Sequence, residues 1–265
     1  MKNNIALIFD FDDTLATDTT SHFLAQQGVD VEKFWREEVD GLIANGWDPI
    51  PAYLYQMVQT SKSNPIFKNS LIQFSKQIEL HKGVSRFFNL IQNETDFNVM
   101  FFVISSGIGD IIRNSQIAKH FTNIWCSEFS YDSEQKIEFP KRVISFTDKT
   151  RYIFSISKGF YTPEYDNLPF EVNKRVDDND RVVPFQNMIY IGDGYTDVPC
   201  FSLIKKAGGI PIAVYDKSNK KHWERAWGFI EEGRVMNLLS ADYTKGSDLY
   251  NNILMAINTI SKKSK

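Results

Sequence analysis

The sequence predicts an α/β fold: a doubly wound parallel sheet with a small helical domain inserted after its first strand. Three observations predict it. First, short unbroken apolar runs at residues 5–9, 99–104 and 188–191 are bounded by polar residues, the pattern of strands buried on both faces of a parallel sheet. Second, stretches of helical periodicity separate these runs, giving the alternation that builds parallel sheets. Third, each of the runs stops abruptly at acids or hydroxyls, and open parallel sheets bind ligands just beyond the carboxyl ends of their strands.

The first strand, Ile5-Ala6-Leu7-Ile8-Phe9, runs straight into Asp10, Asp12 and Asp13. Thr17 to Thr20 is then polar and rich in residues that cap helices. From there to about Lys82 the chain reads helical, over residues 21–27, 31–45, 51–61 and 66–77. Phe34, Val39, Leu42 and Ile43 recur at helical spacing, while Gly28, Gly46, Pro49, Pro51 and Pro65 punctuate the stretch. No strong strand interrupts it. Residues 16–81 are therefore expected to form a helical cap domain, and residues 1–15 with 82–265 the α/β core.

The core resumes with a helix over 84–92. The strand at 98–104 is expected to end at Ser105-Ser106-Gly107-Ile108-Gly109, followed by a helix over 110–118 and a third strand over 124–129. The alternation from 129 to 146 suggests a hairpin through Asp132-Ser133-Glu134. Thr147-Asp148 cap a helix over 149–157 that Gly159 ends. Residues 159–186 read as a long loop, and loops of that length are usually functional or mobile. The strand at 188–191 ends at Gly192-Asp193-Gly194-Tyr195-Thr196-Asp197. The helix over 198–206 carries Pro199 in its first turn, where a missing N–H does no harm. A strand at 210–215 and helices near 221–232 and 247–260 complete the chain.

Bulk properties narrow the function. At 265 residues the chain can bury a substantial core, and 42% hydrophobic with 24% charged residues is ordinary for a globular protein. A net charge of −3 carries no polycationic signature for nucleic acid or an anionic membrane. The two cysteines, Cys126 and Cys200, are too few for a disulfide framework and fit a reducing compartment. No signal-peptide pattern opens the chain, and no apolar stretch approaches the roughly 20 residues that span a bilayer. A soluble, cytoplasmic protein is expected. The 21 Phe and 11 Tyr read mainly as core. The four histidines show no metal-ligand spacing, and there is no Walker-type phosphate loop.

The strand ends carry the chemistry. Packing Asp10, Asp12 and Asp13 at the end of one strand raises their energy, and a divalent cation is the usual remedy. An ionised carboxylate can attack phosphorus and split one difficult hydrolysis into two steps. A second acid nearby can protonate the leaving oxygen and then deprotonate the attacking water. Asp13 reads as a solvated or capping residue, and Cys200 as core.

In order and spacing these strand ends resemble the haloacid dehalogenase superfamily in its phosphatase branch, especially phosphoserine-phosphatase-like members with a small helical cap. The residues that carry the likeness are Asp10-x-Asp12-x-Thr14, Ser105 after an apolar strand, and Gly192-Asp193-Gly194-x-x-Asp197. The resemblance implies a Rossmann-like core, a phosphoric monoester hydrolase activity and Mg2+ as cofactor. It implies Asp10 as nucleophile and Asp12 as general acid/base. Asp10, the Asp12 carbonyl and Asp193 would be metal ligands, with Asp197 ligating through water, orienting its neighbours or only capping a helix. Ser105 would bond a phosphoryl oxygen, with Ser106 as the competing hydroxyl and the N–H groups of Ser106 and Gly107 facing the anion. The family's charge-stabilising lysine falls to Lys149, with Lys158 and Lys174 open. A small-molecule phosphomonoester is the expected partner. Thr20, His22 and Trp47 are candidate cap contacts, each read as structural first. Phosphoryl transfer to an acceptor alcohol and a non-catalytic phosphate-binding module are the competing functions.

Overall fold

A computed structural model describes residues 4–218 and 220–263. Its centre is a seven-stranded sheet in the order β4-β3-β2-β1-β5-β6-β7. The strands are β1 (Ile5–Phe9), β2 (Val99–Ile108), β3 (Asn123–Tyr131), β4 (Ile137–Arg142), β5 (Met188–Gly192), β6 (Ile210–Tyr215) and β7 (Asn237–Ser240). All neighbours are parallel except the β3–β4 hairpin at one edge. The predicted α/β class is therefore the observed one, with an antiparallel strand closing one side.

Side-chain alternation on the central strands explains why helices cover both faces. Ile5, Leu7 and Phe9 of β1 point into one core with Phe101, Val103, Ile189 and Ile191. The helices Val84–Glu94 and Asp248–Lys263 complete that core. Ala6 and Ile8 point the other way, with Phe102, Ile104 and Tyr190, against the helices Asp148–Lys158 and Val198–Lys206. Phe9 sits among Phe87, Phe88 and Tyr243 in mostly edge-to-face contacts, so the abundant aromatics here are core.

After β1 the chain leaves the sheet through a turn in which Asp13 adopts φ 55°, a conformation that aspartate tolerates. The helices Thr19–Gln26, Pro49–Ser63 and Lys68–Phe74 follow, with a helical stretch over 31–44 between the first two. That stretch contains a π-helical turn, Phe34–Val39. The outgoing and returning strands of this insert are tied together at its root. Ala16 pairs with Leu80, the Thr17 N–H donates to the Glu79 carbonyl at 3.0 Å, and the His81 N–H donates to the Leu15 carbonyl at 2.9 Å. A second tie joins the insert to the β3–β4 hairpin, where the Ile137 N–H donates to the Ile66 carbonyl at 2.9 Å.

Four local expectations differ from the structure. β2 does not end at Ile104 but runs on to Ile108, its register on β3 shifting between those two residues. The helix expected over 110–118 shrinks to Gly109–Ile112 and a 3-10 turn at Ala118–His120, because the chain must return quickly to β3. β7, with only Leu238 and Leu239 as apolar residues, was too short to register as a strand. Residues 159–186 are not bare loop but a series of 3-10 turns packed around the Asp148–Lys158 helix. No helix among the described residues is long and apolar enough to cross a membrane.

Candidate active site

The register of the sheet brings the polar strand ends together. β1 lies between β2 and β5, with Phe9 opposite Val103 on one side and Ile191 on the other. Asp10 therefore emerges between the ends of both neighbours, and its N–H donates to the Ile191 carbonyl at 2.9 Å. Asp10 is 6% exposed, and its carboxylate is held at both oxygens. Oδ1 accepts the Phe11 N–H at 2.7 Å, and Oδ2 accepts the Lys149 ammonium at 2.6 Å.

Lys149 lies in the first turn of the Asp148–Lys158 helix and is completely buried. Besides Asp10 its Nζ donates to Asp197 Oδ1 at 2.7 Å and to Thr196 Oγ1 at 3.0 Å. A buried ammonium demands such partners. Burial alone would pull the ammonium toward its neutral form, but Asp10 and Asp197 outweigh that effect and hold the charge on Lys149. For Asp10, burial pushes the carboxyl up, and Lys149 pulls it part of the way back.

Asp197 is committed to this arrangement. Its Oδ1 also accepts the Tyr190 hydroxyl at 2.7 Å, and its Oδ2 accepts the Gly194 N–H at 3.1 Å. It makes no capping bond to the Val198–Lys206 helix. Gly192 makes room for it, since a Cβ there would lie 2.4 Å from Asp197 Oδ2. Asp193 accepts the Thr14 hydroxyl at 3.1 Å, and the Thr14 carbonyl in turn accepts the Tyr243 hydroxyl at 2.9 Å. Asp10, Asp193 and Asp197 each offer an oxygen within 4.8 Å of the others, an all-oxygen donor set of the kind hard divalent cations prefer.

Asp12 stands apart from that cluster. Its Oδ1 takes both the N–H and the hydroxyl of Thr19, at 2.8 and 2.6 Å, at the start of the insert. That leaves Oδ2 to exchange a proton. Burial, reinforced by the nearby Asp18, pushes the Asp12 carboxyl up to about 8, against the opposing hydrogen bonds from Thr19. Gly107 presses against this group: a Cβ there would lie 2.3 Å from Asp12 Oδ2.

At the end of β2, Ser105 is buried and its Oγ accepts the Gly107 N–H at 3.1 Å, which leaves the hydroxyl proton to donate. The Gly107 N–H is thus turned onto Ser105 rather than left open. The Ser106 Oγ is buried with no hydrogen-bond partner. Of the other lysines weighed, Lys158 donates to the carbonyls of Val172 and Lys174, each at 2.6 Å, and Lys174 pairs with Glu171. Neither is joined to the acids. Cys200 is buried, and burial pushes its thiol well up.

A cavity of about 250 Å³ opens between the insert and this edge of the sheet. Asp12, Ser106 and Gly107 form its floor, and Asp18, Thr20, Trp35, Asp40 and Tyr53 are among its walls. Of the cap contacts expected from sequence, Thr20 lines it. His22 instead bonds Thr17, and Trp47 packs on Tyr55. Trp35, Tyr53, Asp18 and Asp40 were not singled out in advance. The signal was present: Trp35, Val39 and Ile43 follow one another at four-residue steps and share the cavity wall.

With this geometry in hand, likeness to known proteins is informative. No family model matches the chain. Its structure is similar to that of a HAD family hydrolase from Salmonella enterica serovar Typhi, at 12% identity and a TM-score of 0.63, covering 97% of this chain and 71% of that one. It is also similar to a substrate-bound phosphoserine phosphatase, at 14% identity and a TM-score of 0.59, covering 96% and 98%. A third similar structure, a phospho-aspartyl intermediate analogue of phosphoserine phosphatase, shares 15% identity with a TM-score of 0.56, covering 95% and 98%. The fold is thus that of the HAD hydrolases, in its phosphoserine-phosphatase-like form. In sequence the chain is 31% identical to an uncharacterized protein of Borreliella burgdorferi, with 97% of each chain covered. The chain belongs to the same family as that Borreliella protein.

Proposed function

We propose that the protein is a Mg2+-dependent phosphatase that hydrolyses a small phosphomonoester through an aspartyl-phosphate intermediate. The observation that carries this reading is Asp10: a buried carboxylate at the end of the central strand, paired with a buried lysine and clustered with Asp193 and Asp197. The HAD fold of the chain supports it.

In the first step an Asp10 oxygen attacks phosphorus and the bond to the leaving oxygen breaks. Asp12, protonated near neutral pH because burial raises its carboxyl, gives its proton to that oxygen. In the second step the Asp12 carboxylate takes a proton from water as the water oxygen attacks phosphorus. The Asp10–phosphorus bond breaks, inorganic phosphate leaves, and both acids return to their starting forms. The Ser105 hydroxyl and the Lys149 ammonium are placed to meet phosphoryl oxygens, and Lys149 also holds the nucleophile in line. The acidic cluster fits Mg2+: Asp10 and Asp193, with the Asp12 carbonyl, would hold it, and the ion would offset repulsion between carboxylate and phosphate. Asp197 acts through Lys149, which it positions. The insert, residues 16–81, is the cap domain, and residues 1–15 with 82–265 the core. The cap closes the cavity and keeps bulk water from the aspartyl phosphate. We place the protein in the cytoplasm, a setting in which the buried, unpaired Cys126 and Cys200 stay reduced.

The test is turnover of p-nitrophenyl phosphate by the purified protein with Mg2+ or with EDTA. Hydrolysis is expected only with the metal and is lost in Asp10→Asn. Rapid quenching during turnover traps protein heavier by one phosphoryl group, located by peptide mass to Asp10. Failure to hydrolyse any phosphomonoester would sink the function. Turnover with no phosphorylated protein would sink the mechanism.

A further inference from the structure

The cavity above Asp12 has a chemistry that the catalytic residues do not use. A leaving group must occupy it, because its floor is formed by Asp12, Ser106 and Gly107 while its walls come from the insert. Those walls carry two further acids, Asp18 and Asp40, and two large aromatic rings, Trp35 and Tyr53. No Lys, Arg or His is among the residues lining it. The chain as a whole is nearly balanced, with 30 basic and 33 acidic residues, so this one-sided lining is local.

The rings are fixed by their polar ends. The Trp35 Nε1–H donates to Ser21 Oγ at 2.8 Å, and the Ser21 hydroxyl donates to Asp18 at 2.5 Å. The Tyr53 hydroxyl donates to the Ser106 carbonyl at 2.5 Å, which ties the cap wall to the catalytic strand. The two rings lie 5.8 Å apart at 48°, tilted rather than stacked. With their polar atoms spent on the protein, only carbon faces and edges remain for a ligand. The π-helical turn Phe34–Val39 supports this wall, setting Trp35 and Val39 on the cavity and handing on to Asp40. Electron-rich faces beside carboxylates attract a positive charge. A carboxylate in the same place would meet like charges and no counter-ion, a cost that selects against it.

Resting on the phosphatase reading, we propose that the substrate is the phosphomonoester of a small amino alcohol. Its cationic nitrogen is held against Trp35 and Tyr53 and neutralised by Asp18 and Asp40, while its phosphate faces Asp10. By the same argument phosphoserine is disfavoured, in spite of the fold, because its carboxylate would have no cationic partner in this cavity and would face Asp18 and Asp40.

The experiment compares kcat/KM, with Mg2+ present, for O-phosphoethanolamine and phosphocholine against glycerol phosphate, glucose 6-phosphate and O-phosphoserine. At least a tenfold preference for the first two is expected. Equal rates on all five, or a preference for the neutral or carboxylate-bearing substrates, overturns the inference and leaves the phosphatase reading standing. Asp40→Asn and Trp35→Leu should each lower the ratio of phosphoethanolamine to glycerol phosphate kcat/KM by about tenfold. Unaltered ratios in both variants overturn the assignment of these walls. Calorimetric titration of the Asp10→Asn protein reads the pocket without turnover: phosphocholine should bind at least tenfold more tightly than glycerol phosphate. If the native protein hydrolyses nothing while that binding preference holds, the phosphatase reading falls and the cation site remains; if both fail, both fall.

Discussion

In the proposed mechanism Asp12 serves catalysis at the expense of the fold. Its carboxyl, ordinarily near 3.8, is raised to about 8 by burial and by Asp18. A proton held that firmly is what a general acid near neutral pH requires. The sign of the stability effect follows. Below pH 4 the group is neutral both folded and unfolded and costs nothing. As pH rises toward 8 the unfolded chain ionises freely while the folded one resists, so stability is lost across that window. Asp12→Asn should therefore lower kcat about 10²–10⁴-fold, yet raise the melting temperature of EDTA-treated protein at pH 8. The gain should shrink toward pH 4, and thermal melts at several pH values check it. It will be smaller than the full shift suggests, because the half-buried carboxyl is partly screened. In the native protein the phosphoryl-transfer step on an alkyl phosphomonoester, whose leaving oxygen needs that proton, should fall away as pH climbs through about 8, which quenched-flow release of the alcohol measures. Lys149 is the opposite case. Removing it as Lys149→Met strands Asp10 and Asp197 as buried, unpaired acids, and should cost about 3–5 kcal/mol in urea unfolding. Combining it with Asp197→Asn should recover part of that loss.

At the scale of elements, glycines at the strand ends decide how closely the acids approach. Gly107 and Gly192 have no positive φ; each is needed because a neighbouring carboxylate occupies the space of its missing Cβ. Gly107→Ala drives the new methyl into Asp12 Oδ2 and should lower kcat tenfold or more with little loss of stability, since this end of β2 opens on the cavity. Gly192→Ala meets Asp197 instead, and should disturb Lys149 and weaken folding together. Steady-state kinetics beside urea melts separates the two outcomes. These strand ends also show what the sequence made legible. β1 and β5 were plain because unbroken apolar runs of five and four residues, stopping at Asp10 and at Gly192-Asp193, have few other readings. Lys149 could be ranked among three lysines only by its place at a helix start; burial and its 2.6 Å contact to Asp10 are properties of the packed molecule. The true end of β2 was obscured because Ser105, Ser106 and Gly107 look like a turn; they form the irregularity between Ile104 and Ile108, and only the renewed pairing of Ile108 with Ser127 carries the strand past them. The cavity walls were least legible of all. Trp35 and Tyr53 sit on different helices, and apart from the four-residue steps of Trp35, Val39 and Ile43 nothing local distinguishes them from core aromatics.

For the whole molecule, the consequence is that sheet and insert share one electrostatic problem. Asp10, Asp193 and Asp197 crowd within 4.8 Å, and the buried Lys149 offsets only one of the three. Like charges so placed in a medium of low dielectric repel strongly, and the fold must hold them there against that repulsion. A divalent cation binding the folded state alone relieves it, and adds stability that grows with the logarithm of its concentration, about 2.7 kcal/mol at a hundredfold excess over Kd. In a chain of this size each kcal/mol moves the melting temperature by roughly 2–4 °C. Mg2+ should therefore raise the melting temperature of EDTA-stripped protein by several degrees, and in Asp193→Asn the shift should nearly vanish. That variant should itself be no less stable than the native chain when both are metal-free, because it removes a repelled charge. The insert supplies the contrast: its ties to the sheet, the Ala16–Leu80 root, the Ile66–Ile137 bond, the Thr19–Asp12 bonds and the Tyr53–Ser106 bond, do not involve Asp10, Asp193 or Asp197. Asp40→Asn, on its far wall, should leave the Mg2+-dependent shift intact. Differential scanning calorimetry of the three proteins, with and without Mg2+, decides it: equal shifts in all of them would mean that the cation binds elsewhere, and the cluster would lose its claim to be the metal site.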